Sequence, residues 1–272
     1  MKLPVPVDTA VLLAAGRGAR LSPWTDRTPK PLLVHRGRPT LDIVLDALAL
    51  GGIERIVLVT HYLAEQLVSY ASRRRAATGQ DILCLRQDRL FGTAHALQCV
   101  MYARPELLTT PFLLSATDYL VPPTFYADLL RFHAAHDAGL TVSLKALGKD
   151  GAARSSVRFA SVDVGDAPSS TAEESDRSLT PDGALADDPT EREILEIVEK
   201  PEPGAAPSEI AANLAFVLPP EVRAHVGETG VSPRGEREIQ ATINAWLAAG
   251  GSARGLLQPV PPEWDPTEST RF

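Results

Sequence analysis

Short apolar runs alternate with amphipathic stretches through the first half of the chain, which is typical of helices that cross over a mostly parallel sheet. The apolar runs predict four strands, at 11–15, 53–60, 81–87 and 111–116. The amphipathic stretches predict four helices, at 41–50, 62–75, 93–103 and 124–136. This alternation predicts an α/β fold with a Rossmann-like, mostly parallel sheet flanked by helices.

The pattern changes after Gly139, where predicted strands at 140–147 and 156–164 follow each other without a long helix between them. Further strands are predicted at 194–198 and 210–218, and a last helix at 236–249. We therefore expect a single domain over 1–272, made of one half at 1–138 and a second, 139–272, that carries a small strand-rich extension.

The segment 165–193 is dominated by Asp, Glu, Ser, Pro and Ala. Such a composition buries too little apolar surface to offset the entropy lost on ordering. We therefore expect a mobile acidic insertion that connects two strands.

Composition narrows the function before any motif is considered. A net charge of -7 over 272 residues argues against a nucleic-acid polymer or a membrane surface as partner, because either would need a basic face. Any bound phosphate must instead meet a local cluster of cations. The two cysteines predict reduced, buried thiols rather than a disulfide framework, and we expect a cytoplasmic location. The oligomeric state does not follow from the sequence.

The strongest chemical signal follows the first predicted strand and reads LAAGRGARLSPWTDRTPKP. Gly16 and Gly18 would let backbone N–H groups approach phosphate oxygens, while Arg20 and Lys30 would supply charge. A dinucleotide fingerprint would need a third glycine where Leu21 stands, and the Gly-Lys-Ser/Thr of a Walker loop is absent. Glycine spacing alone would equally fit a tight strand-to-helix turn.

This segment resembles the signature of the sugar-1-phosphate nucleotidyltransferases, a glycine-rich LAAG-x-G-x-R-L followed by Pro-Lys-Pro-Leu. Further matches follow in the family's order over most of the chain. They are QDRLFGTA from Gln87, Asp118 after the fourth strand, Glu199-Lys200-Pro201, Asn213 in a strand, Gly235-Glu236 before a helix, and Trp264-Asp265.

The resemblance implies that 1–138 binds a nucleoside triphosphate and 139–272 binds a phosphorylated acceptor. It implies nucleotide contacts from Ala14, Ala15, Gly16, Arg17, Gly18, Gln87, Gly92 and Thr93. The implied catalytic residues are Arg20, Lys30, Asp118 and Lys200, the implied acceptor contacts are Glu199, Asn213 and Arg158, and the implied Mg²⁺ ligands are Asp118 and Asp265. Hard oxygen ligands suit that ion.

Gln87 also predicts the base. Its amide offers one donor and one acceptor, which together match the imide edge of uracil or thymine, so UTP or dTTP is the expected nucleotide. The simpler alternative for Gln87 is an exposed amide at a strand end. For Asp118 it is a turn residue, and for Lys200 a solvated charge. His61, His95 and His133 lack the spacing of a zinc site and are expected to be structural.

Departures from the family pattern concern the acceptor. Arg158 stands where the family often has glycine, Ala215 replaces another glycine, and Trp264-Asp265 lacks the family's intervening residue. The sequence thus predicts magnesium-dependent nucleotidyl transfer to a sugar-1-phosphate, giving a nucleotide sugar and pyrophosphate. Two alternatives stay open: a cytidylyltransferase for phosphocholine, a phosphonate or a cyclitol phosphate, and a non-catalytic nucleotide-sugar sensor or regulatory subunit.

Overall fold

A computed structural model of the chain describes residues 5–136, 139–147, 160–165, 191–202, 205–259 and 264. The strands are β1 (Thr9–Ala14), β2 (Val34–His35), β3 (Arg38–Pro39), β4 (Arg55–Thr60), β5 (Asp81–Arg86), β6 (Phe112–Ala116), β7 (Leu140–Ala146), β8 (Ala160–Val164), β9 (Glu191–Glu199), β10 (Ile210–Leu218) and β11 (Ala253–Leu257). The α-helices are α1 (Thr40–Leu50), α2 (Ala64–Thr78), α3 (Thr93–Ala103), α4 (Phe125–Ala135), α5 (Arg223–Val226) and α6 (Ile239–Ala248).

Nine of these strands form one sheet in the order β5-β4-β1-β6-β10-β7-β11-β9-β8, and β2 pairs with β3 in a separate hairpin. β5, β4, β1 and β6 run parallel to one another. β10 then enters antiparallel beside β6 and also pairs with β7. The predicted α/β fold with a mostly parallel sheet flanked by helices is confirmed, and β8 and β9 form an antiparallel extension.

Both faces of the central strand β1 are covered, which explains why its sequence is continuously apolar. Val11 belongs to one buried cluster together with Leu97 of α3. Leu12 points to the opposite face, where it joins Leu45 of α1 and Tyr126 of α4. The alternation of side chains along a strand therefore distributes one apolar run between two helical layers.

The predicted acidic insertion at 165–193 extends too far at its C-terminal end. Glu191 and Glu193 belong to β9, where they pair with Leu256 and Arg254 of β11, respectively. The Arg254 guanidinium also forms an ion pair with Glu191, so acidic residues here are compatible with a strand. Residues 166–190 of the predicted insertion lie outside the described residues.

Two other expectations need adjustment. The last helix begins at Ile239 instead of residue 236, because Glu238 has extended backbone angles. Cys84 and Cys99 are unpaired thiols, as predicted, but both are only partly buried. Across the part of the chain that the structure describes, every helix is too short or too polar to cross a membrane.

Candidate active site

The loop after β1 is shaped by two glycines with different functions. Gly18 has a φ of +64°, and an added Cβ would lie 3.0 Å from Thr25 Cγ2 and 3.3 Å from Lys30 Cβ. The Thr25 hydroxyl donates to the Gly18 carbonyl oxygen at 3.0 Å, which fixes the turn. Gly16 is exposed, and no atom would lie within 4 Å of a Cβ added there. Gly18 therefore packs the loop, whereas Gly16 leaves its outer side open to a ligand.

The structure brings Lys30 and Asp118 together, although 88 positions separate them in the chain. Lys30 begins a short 3-10 helix, and Asp118 lies just beyond the carboxyl end of β6. The Lys30 ammonium donates to Asp118 Oδ2, and both side chains stay 27% exposed. Thr117 donates to the Leu13 carbonyl oxygen at 3.0 Å and so joins the two segments. Asp118 supplies a partly exposed carboxylate oxygen, the ligand type that magnesium prefers.

The remaining predicted residues of this loop differ in exposure. Ala14 and Ala15 are buried, so only their backbone atoms could contact a nucleotide. Arg17 lies over the Tyr62 ring, 5.3 Å from its centroid. Arg20 is exposed and lies in a short 3-10 helix in which no residue is buried.

Gln87 follows β5 and is buried, with 2% of its surface exposed, so the alternative of an exposed strand-end amide does not apply. Its Nε2 donates to the Gly92 carbonyl oxygen at 3.2 Å and contacts His95 Nδ1 at 3.0 Å. The donor half of the amide is therefore used within the protein. Only the Oε1 acceptor remains for a base.

The loop that carries Gly92 and Thr93 is bound to the segment before α6. Arg237 N donates to the Phe91 carbonyl oxygen at 3.0 Å, and Ala94 N donates to the Arg237 carbonyl oxygen at 2.9 Å. The Thr93 hydroxyl oxygen accepts from Ile239 N at 2.8 Å. Thr93 thus holds the loop in place through its side chain.

The predicted acceptor residues form a charged cluster. Lys200 Nζ lies 3.1 Å from Glu199 Oε1, and Lys200 has a φ of +47°. Arg234, which the sequence reasoning missed, contacts Glu199 at 3.2 Å and Glu238 at 2.7 Å. The family match at Gly235-Glu236 directly follows Arg234, and this was the feature of the sequence that could have identified it. Arg234 and Lys200 together give this cluster two cations.

Glu238 is the most perturbed carboxyl of this cluster. Its side chain is 8% exposed, and burial raises its pKa from an ordinary 4.5 to about 7. The negative charge of Glu199 acts in the same direction, while Arg234 opposes it. The Thr93 hydroxyl lies 3.5 Å from Glu238 Oε2, so this carboxyl connects the loop after β5 with the Glu199 cluster.

Asn213 lies in β10 at a break in its pairing with β7. It is fully buried, and its Nδ2 donates to the Ser143 hydroxyl at 2.9 Å. Its Oδ1 has no hydrogen-bond partner among the described residues. The next residue, Leu214, donates its backbone N–H to the Tyr119 hydroxyl at 2.8 Å. Burial raises the pKa of Tyr119, and the charges of Asp118 and Glu199 act in the same direction.

Two predicted residues, Arg158 and Asp265, lie outside the described residues. Trp264, the neighbour of Asp265, is buried and donates its indole N–H to the Val34 carbonyl oxygen at 2.8 Å. Its ring meets Trp24 edge to face, with 5.9 Å between the centroids. Trp24 belongs to the loop after β1, so the chain returns to that loop at residue 264.

The fold brings the charged pair Lys30 and Asp118 to the carboxyl end of β6, at the edge of a mostly parallel sheet where open α/β folds bind ligands. A family model described as nucleotidyl transferase matches residues 9–259. The chain belongs to this family, which confirms the resemblance found in the sequence.

Among relatives, the chain is 33% identical over 133 residues to the bifunctional protein GlmU of Pelobacter propionicus, covering 49% of this chain and 27% of that protein. It is 28% identical over 133 residues to a probable mannose-1-phosphate guanylyltransferase of Oryza sativa, covering 49% and 37%. A 2-aminoethylphosphonate cytidylyltransferase of Lancefieldella rimae is 47% identical over 57 residues, covering 21% and 23%. The matched regions thus span well under half of these relatives.

A crystal structure of UDP-glucose pyrophosphorylase complexed with UDP-glucose superposes with a TM-score of 0.72 and 18% identity, covering 92% of this chain and 90% of that one. A UTP-bound UDP-glucose pyrophosphorylase from Acinetobacter baumannii gives a TM-score of 0.69 at 21% identity, covering 93% and 87%. At these identities the similarity concerns the fold.

Proposed function

We propose that this protein catalyses magnesium-dependent transfer of a nucleotidyl group from a nucleoside triphosphate to a sugar-1-phosphate. The products are a nucleotide sugar and pyrophosphate. The observation that carries the proposal is the contact between Lys30 of the glycine-rich loop and Asp118 at the end of β6. It joins a cation suited to phosphate with a carboxylate suited to magnesium at one edge of the sheet.

The reaction needs no covalent enzyme intermediate and no general base, because the acceptor phosphate oxygen is already anionic at neutral pH. That oxygen attacks the α-phosphorus, and the bond from the α-phosphorus to the bridging oxygen breaks as pyrophosphate leaves. The barrier is repulsion between the negative charges that must approach. A site can lower it by neutralising charge and by holding attacker and leaving group in line.

The nucleotide side of the site would rest on the loop after β1. Gly16 leaves space for backbone N–H groups to approach the triphosphate, and Arg20 and Lys30 would bind its oxygens. Asp118 would hold magnesium, which, when bound, neutralises charge on the triphosphate and on the departing pyrophosphate. Lys30 lies beside Asp118 and keeps part of its side chain exposed.

The acceptor side would rest on the cluster after β9. Lys200 and Arg234 would bind the acceptor phosphate, because both cations lie within 3.2 Å of Glu199 and are partly exposed. Glu199 would accept from a sugar hydroxyl. Asn213 Oδ1, buried and without a partner among the described residues, would accept from another.

The proposal also concerns which nucleotide and which acceptor are used. UTP or dTTP is the expected nucleotide from the position of Gln87, which has an acceptor left for a base N–H. The second candidate is a cytidylyltransferase for a phosphonate. The 57-residue match to a 2-aminoethylphosphonate cytidylyltransferase favours it, because a phosphonate oxygen can attack the same α-phosphorus.

The test is a grid of nucleoside triphosphates against phosphorylated acceptors with magnesium, scored by pyrophosphate release. UTP or dTTP with a sugar-1-phosphate should give the highest kcat/KM. Turnover of CTP with 2-aminoethylphosphonate alone would select the second candidate. Tight nucleotide-sugar binding with no pyrophosphate from any pair would instead indicate a sensor.

A further inference from the structure

The Gln87 side chain is held by two acceptors at once. Its Nε2 lies 3.2 Å from the Gly92 carbonyl oxygen and 3.0 Å from His95 Nδ1. A primary amide nitrogen carries two hydrogens, so each hydrogen has one partner. The Gly92 carbonyl can only accept, which means that the amide nitrogen, and not Oε1, must face it. The orientation of the amide follows from this contact.

The same contact determines the tautomer of His95. Because Nδ1 accepts from Gln87, the ring proton of the neutral histidine lies on Nε2. Nε2 lies 3.3 Å from Asp88 Oδ1, so this carboxylate is close to the ring N–H. Burial lowers the pKa of His95, and the nearby Arg89 and Arg237 act in the same direction against Asp88. His95 is therefore neutral at pH 7 and can accept at Nδ1.

Cys99 lies close to this pair, and its Sγ, His95 Nε2 and Asp88 Oδ1 lie within 4.8 Å of one another. This grouping has the ligand types of a metal site. A metal would need the lone pair of Nε2, however, and the Gln87 contact places a proton there. The geometry thus favours a hydrogen bond from Gln87 to His95 Nδ1, with Asp88 near the other ring nitrogen.

We propose that His95 is a positioning residue that sets the choice between uracil and cytosine, given the proposed function in which Gln87 faces the base. A free glutamine amide can turn over and match either pyrimidine. Held by His95 and Gly92, it presents only Oε1. Placed opposite N3 of the base, that oxygen would accept from the N3–H of uracil or thymine, whereas N3 of cytosine carries a lone pair and would be repelled.

The experiment compares His95→Leu with His95→Asn. Leucine removes the acceptor, whereas the asparagine side-chain oxygen can take the place of Nδ1 and accept from Gln87. Affinities for UTP and CTP with magnesium are measured by calorimetry, and kcat/KM by pyrophosphate release. We expect the UTP-to-CTP ratio to fall about tenfold in His95→Leu and to stay within about twofold of wild type in His95→Asn. His133→Leu, which removes a distant histidine bonded to Thr141, should leave the ratio unchanged.

An unchanged ratio in folded His95→Leu would overturn the proposal, and equal losses in both His95 variants would reduce His95 to a packing role. The binding measurement needs no acceptor, so a selectivity change without turnover would refute the transferase reaction while leaving this role in place. Should His95→Leu not fold, ¹⁵N chemical shifts of the wild-type ring decide the matter. A proton on Nε2 is expected, and a proton on Nδ1 would overturn the proposal.

Discussion

Replacing Glu238 with Gln should make the protein more stable at pH 8 while changing little at pH 5. The carboxyl is 8% exposed, and its pKa is raised to about 7 mainly by burial and by Glu199. Between pH 4.5 and 7 the folded state therefore binds more protons than the unfolded state. The free energy of unfolding falls over that range as pH rises, because the ionised carboxyl is disfavoured in the fold.

The size of the effect follows from the same increase in the pKa of Glu238. Raising the pKa from 4.5 to about 7 corresponds to about 3 kcal/mol once the group is fully ionised. Part of this free energy comes from repulsion between the charges of Glu238 and Glu199. We therefore expect Glu238→Gln to raise the free energy of unfolding by about 1–3 kcal/mol at pH 8. Glutamine keeps an oxygen to accept from Arg234, which lies 2.7 Å from the carboxylate, and cannot ionise.

Urea denaturation of wild type and Glu238→Gln at pH 5, 6, 7 and 8 measures this directly. The difference in free energy of unfolding should grow with pH in favour of the variant and level off above pH 7. Glu221→Gln, an exposed carboxylate on the short helix before α5, should run parallel to wild type. Parallel curves for Glu238→Gln would refute the assignment of a buried, proton-binding carboxyl.

Three further predictions concern the nucleotide side. Asp118→Asn should lower kcat at least about 100-fold in a magnesium titration without lowering the melting temperature by more than a few degrees, since an amide cannot balance the ion's charge. Lys30→Met should lower kcat/KM by about one to two decades, and unchanged kinetics would remove Lys30 from phosphate binding. Gly92→Ala should lose about 2 kcal/mol or more of stability, because its Cβ would lie 2.3 Å from the Arg237 carbonyl oxygen. Gly79→Ala, also at positive φ but in open space, is the matched control and should lose less in the same urea denaturation.

The sequence predicted the parts of the fold that depend on local pattern. β10 matches its predicted bounds because eight of the nine residues from Ile210 to Leu218 are apolar, and α3 matches because Gly92 and Arg104 flank its amphipathic run. β11 was missed. Its sequence, ARGLL, is short and contains a glycine, and in the fold it pairs with β7 and β9, whose Leu144 and Ile194 side chains occupy the space beside that glycine.

Local pattern could identify Lys30 and Asp118 separately, because each stands in a recognisable segment. It could not supply the partners of Gln87. Those depend on His95, in the first turn of α3, and on the backbone of Gly92, whose position is set by Arg237. Arg234 was missed for the same reason, since its contact with Glu199 joins residues 35 positions apart. Such contacts exist only after the sheet has formed.

The antiparallel entry of β10 has a consequence for any shortened form of this protein. β10 covers one edge of β6, a strand whose five residues are all buried. A fragment ending at residue 138 would keep β5, β4, β1 and β6 but expose the backbone N–H and C=O groups along that edge. An unprotected, apolar edge strand readily recruits strands from other molecules. The fragment is therefore expected to self-associate when expressed alone, and in the whole chain β10 covers this edge of β6.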